Sequence, residues 1–467
     1  MRYRTEKDSL GSVKVRESSY FGSNTQRAVG NFPISGIRLQ KSFIRAYAIV
    51  KRSAALANIS EGLLDRKRGA AIVRACDEII AGKLEDQFAV DVFQAGAGTS
   101  TNMNLNEVIA NRGIELLGGR KGEYTILHPN DHVNMSQSTN DTFHAAMHIS
   151  AYLGIKDRLI PSLEGLESAL DRKAREFAGL LKVGRTHLQD AVPITLGQEF
   201  SGYSYAIEVE SDRLRIAMRE VEYLPIGGTA VGTGINTTAD YSKIAIKEIN
   251  RSTKCRFKRS KNLFYEQQDQ ASEAFVSGAV RGTAMTLLKM SADLRLLGSG
   301  PSAGLGEIRL PAVQAGSSIM PGKVNPSMAE MLSMACFEAI GNDLTISGAA
   351  QGGQLELNVF MPIIAYKLIK SIETLSNAID AFTSRCVMGI EANEEVLGAY
   401  FEASPEIATL LAPVIGYDKV ALVVKEAIKT HRPVREIILS KRLLDKRRLD
   451  ELLKPSNVTG PNLKRKR

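Results

Sequence analysis

Apolar residues recur at spacings of three and four through the middle of the chain. Leu163, Leu166, Leu170, Ala174, Phe177 and Leu181 fall on one helical face, and Ile364, Leu368, Ile372, Leu375, Ile379 and Phe382 repeat the pattern further on. Comparable runs at about 196–224, 272–300 and 326–350 bring the long helices to five. Helices average about 11–12 residues, and ones this long are stable mainly by packing on one another. A helical bundle is predicted. Within 272–300, Val276, Val280, Leu287 and Leu288 cannot share one narrow stripe. The helix is therefore expected to be apolar on more than one side and to bury the second side in an assembly.

Glycine-rich polar stretches interrupt the pattern at 94–106, 128–142, 184–190, 227–236 and 298–326. Loops held by a rigid scaffold commonly carry function. Three sections follow: a mixed, mostly helical front of short helices and turns (1–140), a central helical bundle (141–395), and a small helical end with a basic tail (396–467). Repeats and low-complexity segments are absent, which excludes a solenoid.

Composition narrows the class. The 467 residues are 44% hydrophobic and 24% charged, as in globular proteins and unlike disordered ones. No stretch approaches the roughly 20 apolar residues of a membrane span, and MRYRTEKDSLG at the N-terminus lacks the apolar core of a secretory signal. A cytoplasmic location and no membrane partner are expected. Cys76, Cys255, Cys336 and Cys386 are far apart and form no CxxC or Cys/His cluster, so reduced thiols and no metal site are expected. Of six histidines, His128, His132 and His144 lie within 17 residues. Lys+Arg exceed Asp+Glu by 60 to 51, a net charge of +9, concentrated in RSTKCRFKRSK (251–261) and in the tail Lys464-Arg465-Lys466-Arg467. Without an aromatic stacking pattern these runs read as solvated surface, and a nucleic-acid partner is not expected. An anionic small substrate suits a basic protein.

The most informative segment is Gly316-Ser317-Ser318-Ile319-Met320-Pro321-Gly322-Lys323-Val324-Asn325-Pro326. Two serines stand between glycine and Pro-Gly, with Lys323 and Asn325 close behind. A serine hydroxyl is a poor base until nearby charge or donors favour its ionised form. Lysine supplies charge, asparagine supplies donors, and glycine lets backbone amides approach an anion. A plain turn before a helix accounts for the same residues equally well, since Asn325-Pro326 makes a helix start. Gly96-Ala97-Gly98-Thr99-Ser100-Thr101-Asn102 and Ser136-Gln137-Ser138-Thr139-Asn140-Asp141 are also donor-rich, the second doubling as an N-cap. Gly184-Arg185-Thr186-His187-Leu188-Gln189-Asp190 joins a guanidinium, a hydroxyl and an imidazole. Donor-rich segments without metal or nucleotide motifs suggest a carboxylate ligand.

The 316–326 loop resembles the signature of the fumarase/aspartase superfamily, and its Ile-Met-Pro-Gly-Lys-Val-Asn-Pro form is similar to the fumarase and aspartase branch. The resemblance extends over TEKDSLG, NTQRAVGNFP, AGAGTSTNMN, HPNDHVNMSQSTND, GRTHLQDAVPITLGQEF, TAVGTGIN and GQLELNVF, nearly the whole chain. It implies three mostly helical domains with a central five-helix bundle. It further implies a homotetramer whose bundles form a twenty-helix core, with each active site shared by three subunits.

Ala97-Gly98-Thr99-Ser100, Ser138-Thr139-Asn140, Leu188 after His187, and Gln354-Leu355 look like aspartase. Gly227-Gly228-Thr229 and Asp141-Thr142-Phe143 look like fumarase, and His144 stands where both branches usually carry proline. The implied reaction is the aspartate ammonia-lyase one, reversible anti elimination of ammonia from L-aspartate to fumarate through a carboxylate-stabilised carbanion. The alternative is class II fumarate hydration to L-malate. By resemblance Ser318 is the base. Thr99, Ser138, Thr139 and Ser317 surround the β-carboxylate, Lys323 and Asn325 hold the α-carboxylate, and Asn140, Thr186 and His187 lie near the amino group. No cofactor is implied, because the small dicarboxylate substrate carries its own electron sink.

Overall fold

The computed structural model describes residues 2–460; the basic run Lys464–Arg467 lies outside the described residues. The long helices are Ile160–Glu176, Leu196–Ala217, Ala271–Leu297, Ser327–Ala350 and Met361–Arg385. Two ends differ from the periodicity. Leu181 is not on the first helix but opens the strand Leu181–Thr186, because the chain turns at 177–180 and an apolar strand start continues the helical spacing by coincidence. The second helix stops at Ala217, and Tyr223–Leu224 instead pairs in parallel with Lys258–Arg259. Among the described residues no helix is long and apolar enough to cross a membrane, and the four cysteines are free.

The chain divides into two compact units. The first comprises Met1–Pro161, Asp212–Ala284 and Ala335–Ser376; the second comprises Ser162–Ser211, Met285–Met334 and Asn377–Arg467.

In the first unit a hairpin of Tyr3–Asp8 and Gly11–Arg16 precedes helices Ser23–Asn31, Lys41–Ser60, Arg66–Ile80, Thr99–Leu116 and Thr139–Gly154. Two of these, at 20 and 18 residues, exceed the short helices expected of the front section. Phe43, Tyr47, Val50, Ala54 and Ala57 alternate at four and three along Lys41–Ser60 and are buried, so one continuous face packs on Arg66–Ile80, Thr139–Gly154 and Tyr241–Thr253. At its centre the Phe143 ring lies 4.8 Å from Phe43 and 5.9 Å from Tyr47, geometries that add to plain burial. Buried Glu107 receives the amides of Gly22 and Asn24 at 2.8 Å and the Thr25 hydroxyl at 2.6 Å. That carboxylate satisfies the free donors at the start of Ser23–Asn31.

In the second unit the strands Leu181–Thr186 and Gln189–Thr195 form an antiparallel hairpin. The chain end folds as the short helices Glu394–Ala403, Tyr417–Thr430, Val434–Ser440 and Lys446–Leu452. Phe401, Ile407, Leu411, Val423, Ile437, Ile438 and Leu449 make their core.

Candidate active site

The first unit brings Thr99, Ser138, Thr139 and Asn140 to two helix starts. Gly96–Gly98 forms a single tight turn in which Ala97 and Gly98 have φ of 58° and 84°, and the helix Thr99–Leu116 begins at once. The stretch read as loop to residue 106 therefore ends at Gly98. A Cβ on Gly98 would lie 2.1 Å from Cδ2 of Phe143, so only glycine permits this approach. Thr99 is exposed on the first turn. Gln94 Oε1 accepts the Thr101 amide at 2.9 Å and its hydroxyl at 2.8 Å, holding the turn from behind.

Ser138 caps Thr139–Gly154 in a capping box: its hydroxyl accepts the Asn140 amide at 3.2 Å, and Asp141 Oδ1 accepts the Ser138 amide at 3.0 Å. The N-cap reading of this stretch thus holds, yet the hydroxyl proton of Ser138 remains available to a ligand. Positive helix ends carrying hydroxyls favour an anion. Thr139 is buried, and Asn140 is half-buried. The Asn140 amide nitrogen donates to Ala230 O at 2.7 Å. That acceptor can only receive, so it fixes the orientation of the amide and leaves Oδ1 as the free end.

Two buried ionisable groups stand behind these loops: Asp141, at the end of the donor-rich 136–141 stretch, and Lys51, outside every segment singled out from the sequence. Asp141 Oδ2 accepts the amides of Gly227 and Thr229, each at 3.1 Å. Burial pushes its carboxyl up to about 7, against the pull of those amides and of Lys51. Lys51 is fully buried and donates to Asn134 Oδ1 at 2.9 Å. Burial drives its ammonium down to about 7, with the Asp141 charge opposing. The available signal was positional: Lys51 falls four residues after Tyr47 and three before Ala54, on the apolar face of its helix.

The second unit holds Thr186, His187, Ser317, Ser318, Lys323 and Asn325. Thr186 pairs with Gln189, so His187 and Leu188 alone make the hairpin turn, with φ of 55° and 60°. Two consecutive left-handed residues define a type I′ turn, which normally carries glycine or asparagine. A histidine and a leucine here are strained, and such outliers concentrate at functional sites. Both side chains are exposed, Leu188 at 71%. The hairpin is anchored below the turn by buried charge: Lys182 meets Glu199 at 2.6 Å and Glu307 at 2.7 Å, and Arg185 meets Glu307 at 2.7 Å.

The 316–326 loop is closed at its neck. The Gly316 amide donates to Lys323 O at 2.9 Å, and Asn325 donates through Nδ2 to Gly316 O at 2.7 Å. A Cβ on Gly316 would sit 2.3 Å from that same Lys323 oxygen. Ser317 Oγ accepts the amides of Ile319 and Met320 at 3.2 and 3.1 Å. Ser318 and Lys323 are exposed. The helix Ser327–Ala350 begins directly after Pro326, so the segment is a turn before a helix as well as a presented loop.

Chemically the chain thus offers hydroxyls at two helix starts, an oriented amide, an exposed imidazole, and an exposed serine and an exposed lysine on one loop. These suit a carboxylate ligand and proton transfer.

A family profile described as Lyase matches residues 11–341, and one described as Fumarase C C-terminus matches residues 407–460. The aspartate ammonia-lyase of Helicobacter pylori is 48% identical over 461 residues, covering 98% of this chain and 98% of that protein. The class II fumarate hydratase of Thermosynechococcus vestitus is 46% identical over 433 residues, covering 93% of each. The crystal structure of fumarate lyase:delta crystallin from Brucella melitensis bound to cobalt matches with a TM-score of 0.95 at 46% identity, covering 98% of this chain and 100% of that one.

Proposed function

The chain belongs to the fumarase/aspartase superfamily of lyases and has its mostly helical fold, and we propose that within it the protein is an aspartate ammonia-lyase. Abstraction of the proton beside the β-carboxylate of L-aspartate makes a carbanion whose charge spreads onto that carboxylate. Donors aimed at the developing dianion lower the barrier. Thr99, Ser138, Thr139 and Ser317 take this role. Ser138 and Ser317 accept from backbone amides, which polarises their hydroxyls and leaves each proton free to donate. Ser318, ionised, removes the substrate proton; Lys323 and Asn325 hold the α-carboxylate. Ammonia leaves beside Asn140, Thr186 and His187. The substrate's own carboxylate is the electron sink, so no organic cofactor takes part.

The observation that carries the choice of ammonia is the fixed amide of Asn140. One of its two N–H groups goes to Ala230 O, which fixes the amide and leaves the carbonyl oxygen as an acceptor, and an ammonium group is a donor only. Leu188, at the tip of the turn, offers no hydroxyl to a water. The Helicobacter pylori relative supports the same reading by its name. Initial rates of fumarate formation from saturating L-aspartate and from L-malate test it: L-aspartate should be faster, and a faster rate with L-malate overturns the assignment. Class II fumarate hydration is the second reading, favoured by the Gly227-Gly228-Thr229 turn and by the Thermosynechococcus vestitus relative.

The assembly we propose is a homotetramer with sites shared by three subunits. The apolar residues of 272–300 that exceed one narrow stripe do not support it, because Val276, Val280 and Leu287 are buried within the chain and Leu288 is half-buried. Other residues do. Phe275, Met285, Met334, Phe337 and Leu344 are exposed on the long helices, and a cavity of about 580 Å³ opens between Tyr203, Ile207, Met285 and Met290. Large exposed apolar surfaces mark interaction sites.

A further inference from the structure

We propose that His144, His148, Glu266 and Glu273 form a closed structural site for a divalent transition cation of the zinc type. His144 and His148 stand four apart on the helix Thr139–Gly154, so both imidazoles project from one face, at a ring separation of 4.5 Å. Histidines at this spacing, completed by a glutamate from another element, are a recurrent zinc arrangement. Both Nε2 atoms converge on Glu273 Oε1, at 2.7 and 2.6 Å. The ligand atoms of His144, His148 and Glu266 lie within 4.8 Å of one another. Neighbouring ligand atoms around tetrahedral zinc are roughly 3.3 Å apart, so side-chain shifts on the order of 1 Å would admit the ion.

The surroundings match the needs of such a site. His148 Nδ1 donates to Tyr223 O at 2.6 Å, the outer hydrogen bond that orients a ligating histidine; Nε2, which donates to Glu273 Oε1 in the metal-free protein, would give up that proton to the ion. Beside His144 Nδ1, the Gln270 amide nitrogen stands at 3.5 Å while Gln270 Oε1 is buried without a partner. Turning that amide over gives His144 an equivalent acceptor, in exchange for the Gln270 bond to Asp269 O at 3.1 Å. Glu273 Oε2 is likewise buried and unpartnered. All four residues are at most 5% exposed. Two buried carboxylates bring two negative charges into a low-dielectric interior, of which a His148 protonated on both nitrogens offsets one; a divalent cation neutralises both. Full enclosure is what separates structural from catalytic zinc sites. Nitrogen and carboxylate donors favour zinc, cobalt or nickel over magnesium.

The site would tie the helix bearing Ser138–Asn140 at its start to the segment 266–273, whatever the leaving group of the reaction. The test is metal content by mass spectrometry of the full-length protein produced with added Zn²⁺ or Co²⁺, with Mg²⁺ as control. About one transition ion per chain is expected, with the visible absorption of tetrahedral Co²⁺ in the cobalt form and a lower melting temperature after chelation. His144→Phe and Glu266→Gln should each reduce bound metal by about tenfold or more. Glu266→Gln keeps shape and volume, so it remains informative if His144→Phe fails to fold. Trace metal in the wild type under both additions, or undiminished metal in a folded variant, overturns the site.

Discussion

Asp141 accepts the backbone amide of Thr229 at 3.1 Å, and through this bond the residue next to Asn140 fixes the loop that orients Asn140. The same carboxylate accepts Ser138 N at 3.0 Å and Gly227 N at 3.1 Å. One acidic side chain thus sets the helix start and the facing loop together.

Asp141→Asn should therefore weaken both. An amide presents two N–H groups where the carboxylate accepts, so one side of the bridge becomes donor against donor. The loss is expected at about 1–3 kcal/mol, read as a lower urea midpoint at unchanged slope. A raised KM should accompany it if Asn140 takes its proposed place beside the substrate, because the loop that orients it would be loosened.

Ser317 and Ser318 should separate cleanly. Ser318 is exposed, and no hydrogen bond ties it to the loop, so Ser318→Ala should leave stability unchanged and lower kcat by several powers of ten as the base is lost. Ser317→Ala removes the acceptor for the amides of Ile319 and Met320, and faster protease cleavage within 316–326 should report the loosened loop. Retention of a tenth of the wild-type rate by Ser318→Ala would exclude it as the base.

The five long helices were legible because each carries an unbroken apolar face. Leu181 shows the limit of that rule, since spacing alone does not reveal where the backbone turns. Lys51 was invisible for the opposite reason: one cation on an apolar face leaves the periodicity intact. The loops announced themselves by their donors, but their grip did not, because Asp141 and Thr229 are distant in sequence. His144 and His148 show a readable spacing of four, yet Glu266 and Glu273, which give it meaning, lie more than a hundred residues on. The hairpin Tyr3–Asp8 with Gly11–Arg16 was missed because, although exposure alternates along both strands, the covered face of the first is Arg4, Glu6 and Asp8, so burial there does not follow hydrophobicity.

Acid should act through Asp91. Burial alone would raise its pKa, but hydrogen bonds from Phe93 N, Ser35 N, Ser35 Oγ and Gly36 N outweigh that and hold the carboxyl below its ordinary 3.8. A folded pKa below the unfolded one means the stabilisation is present above 3.8 and lost as pH falls through the folded value. Unfolding free energy should drop as the medium is acidified past 3.8. Asp91→Asn should show a shallower drop and a lower starting stability at neutral pH.

The strained turn predicts a trade between stability and function. Replacing His187 or Leu188 with glycine relieves a left-handed residue, worth about 1 kcal/mol each. Both variants should melt at higher temperature than the wild type. His187→Gly should nevertheless lose turnover, whereas Leu188→Gly should keep it; a lower melting temperature for both would show that the turn is not strained.

The proposed tetramer should rest on exposed apolar side chains along the helix Ser327–Ala350. Phe337 and Leu344 are 60% and 76% exposed. Light scattering should give a mass near four times 50.8 kDa. Phe337→Glu should lower that mass and the activity together, because incomplete assemblies lack shared sites. A fully active wild-type monomer would refute the arrangement.

The contact between Gly98 and the Phe143 ring restricts the paths by which descendants of this chain can diverge. Any side chain at 98 meets two separate obstacles, a φ of 84° and a ring 2.1 Å from the nearest new atom. A smaller residue at 143 clears the ring and leaves the backbone penalty, while opening a void among Phe43 and Tyr47. A lineage that begins with either change passes through a less fit intermediate, so the two positions act as a ratchet. The spacing of the two helix starts is thereby tied to a glycine at 98 facing a ring at 143.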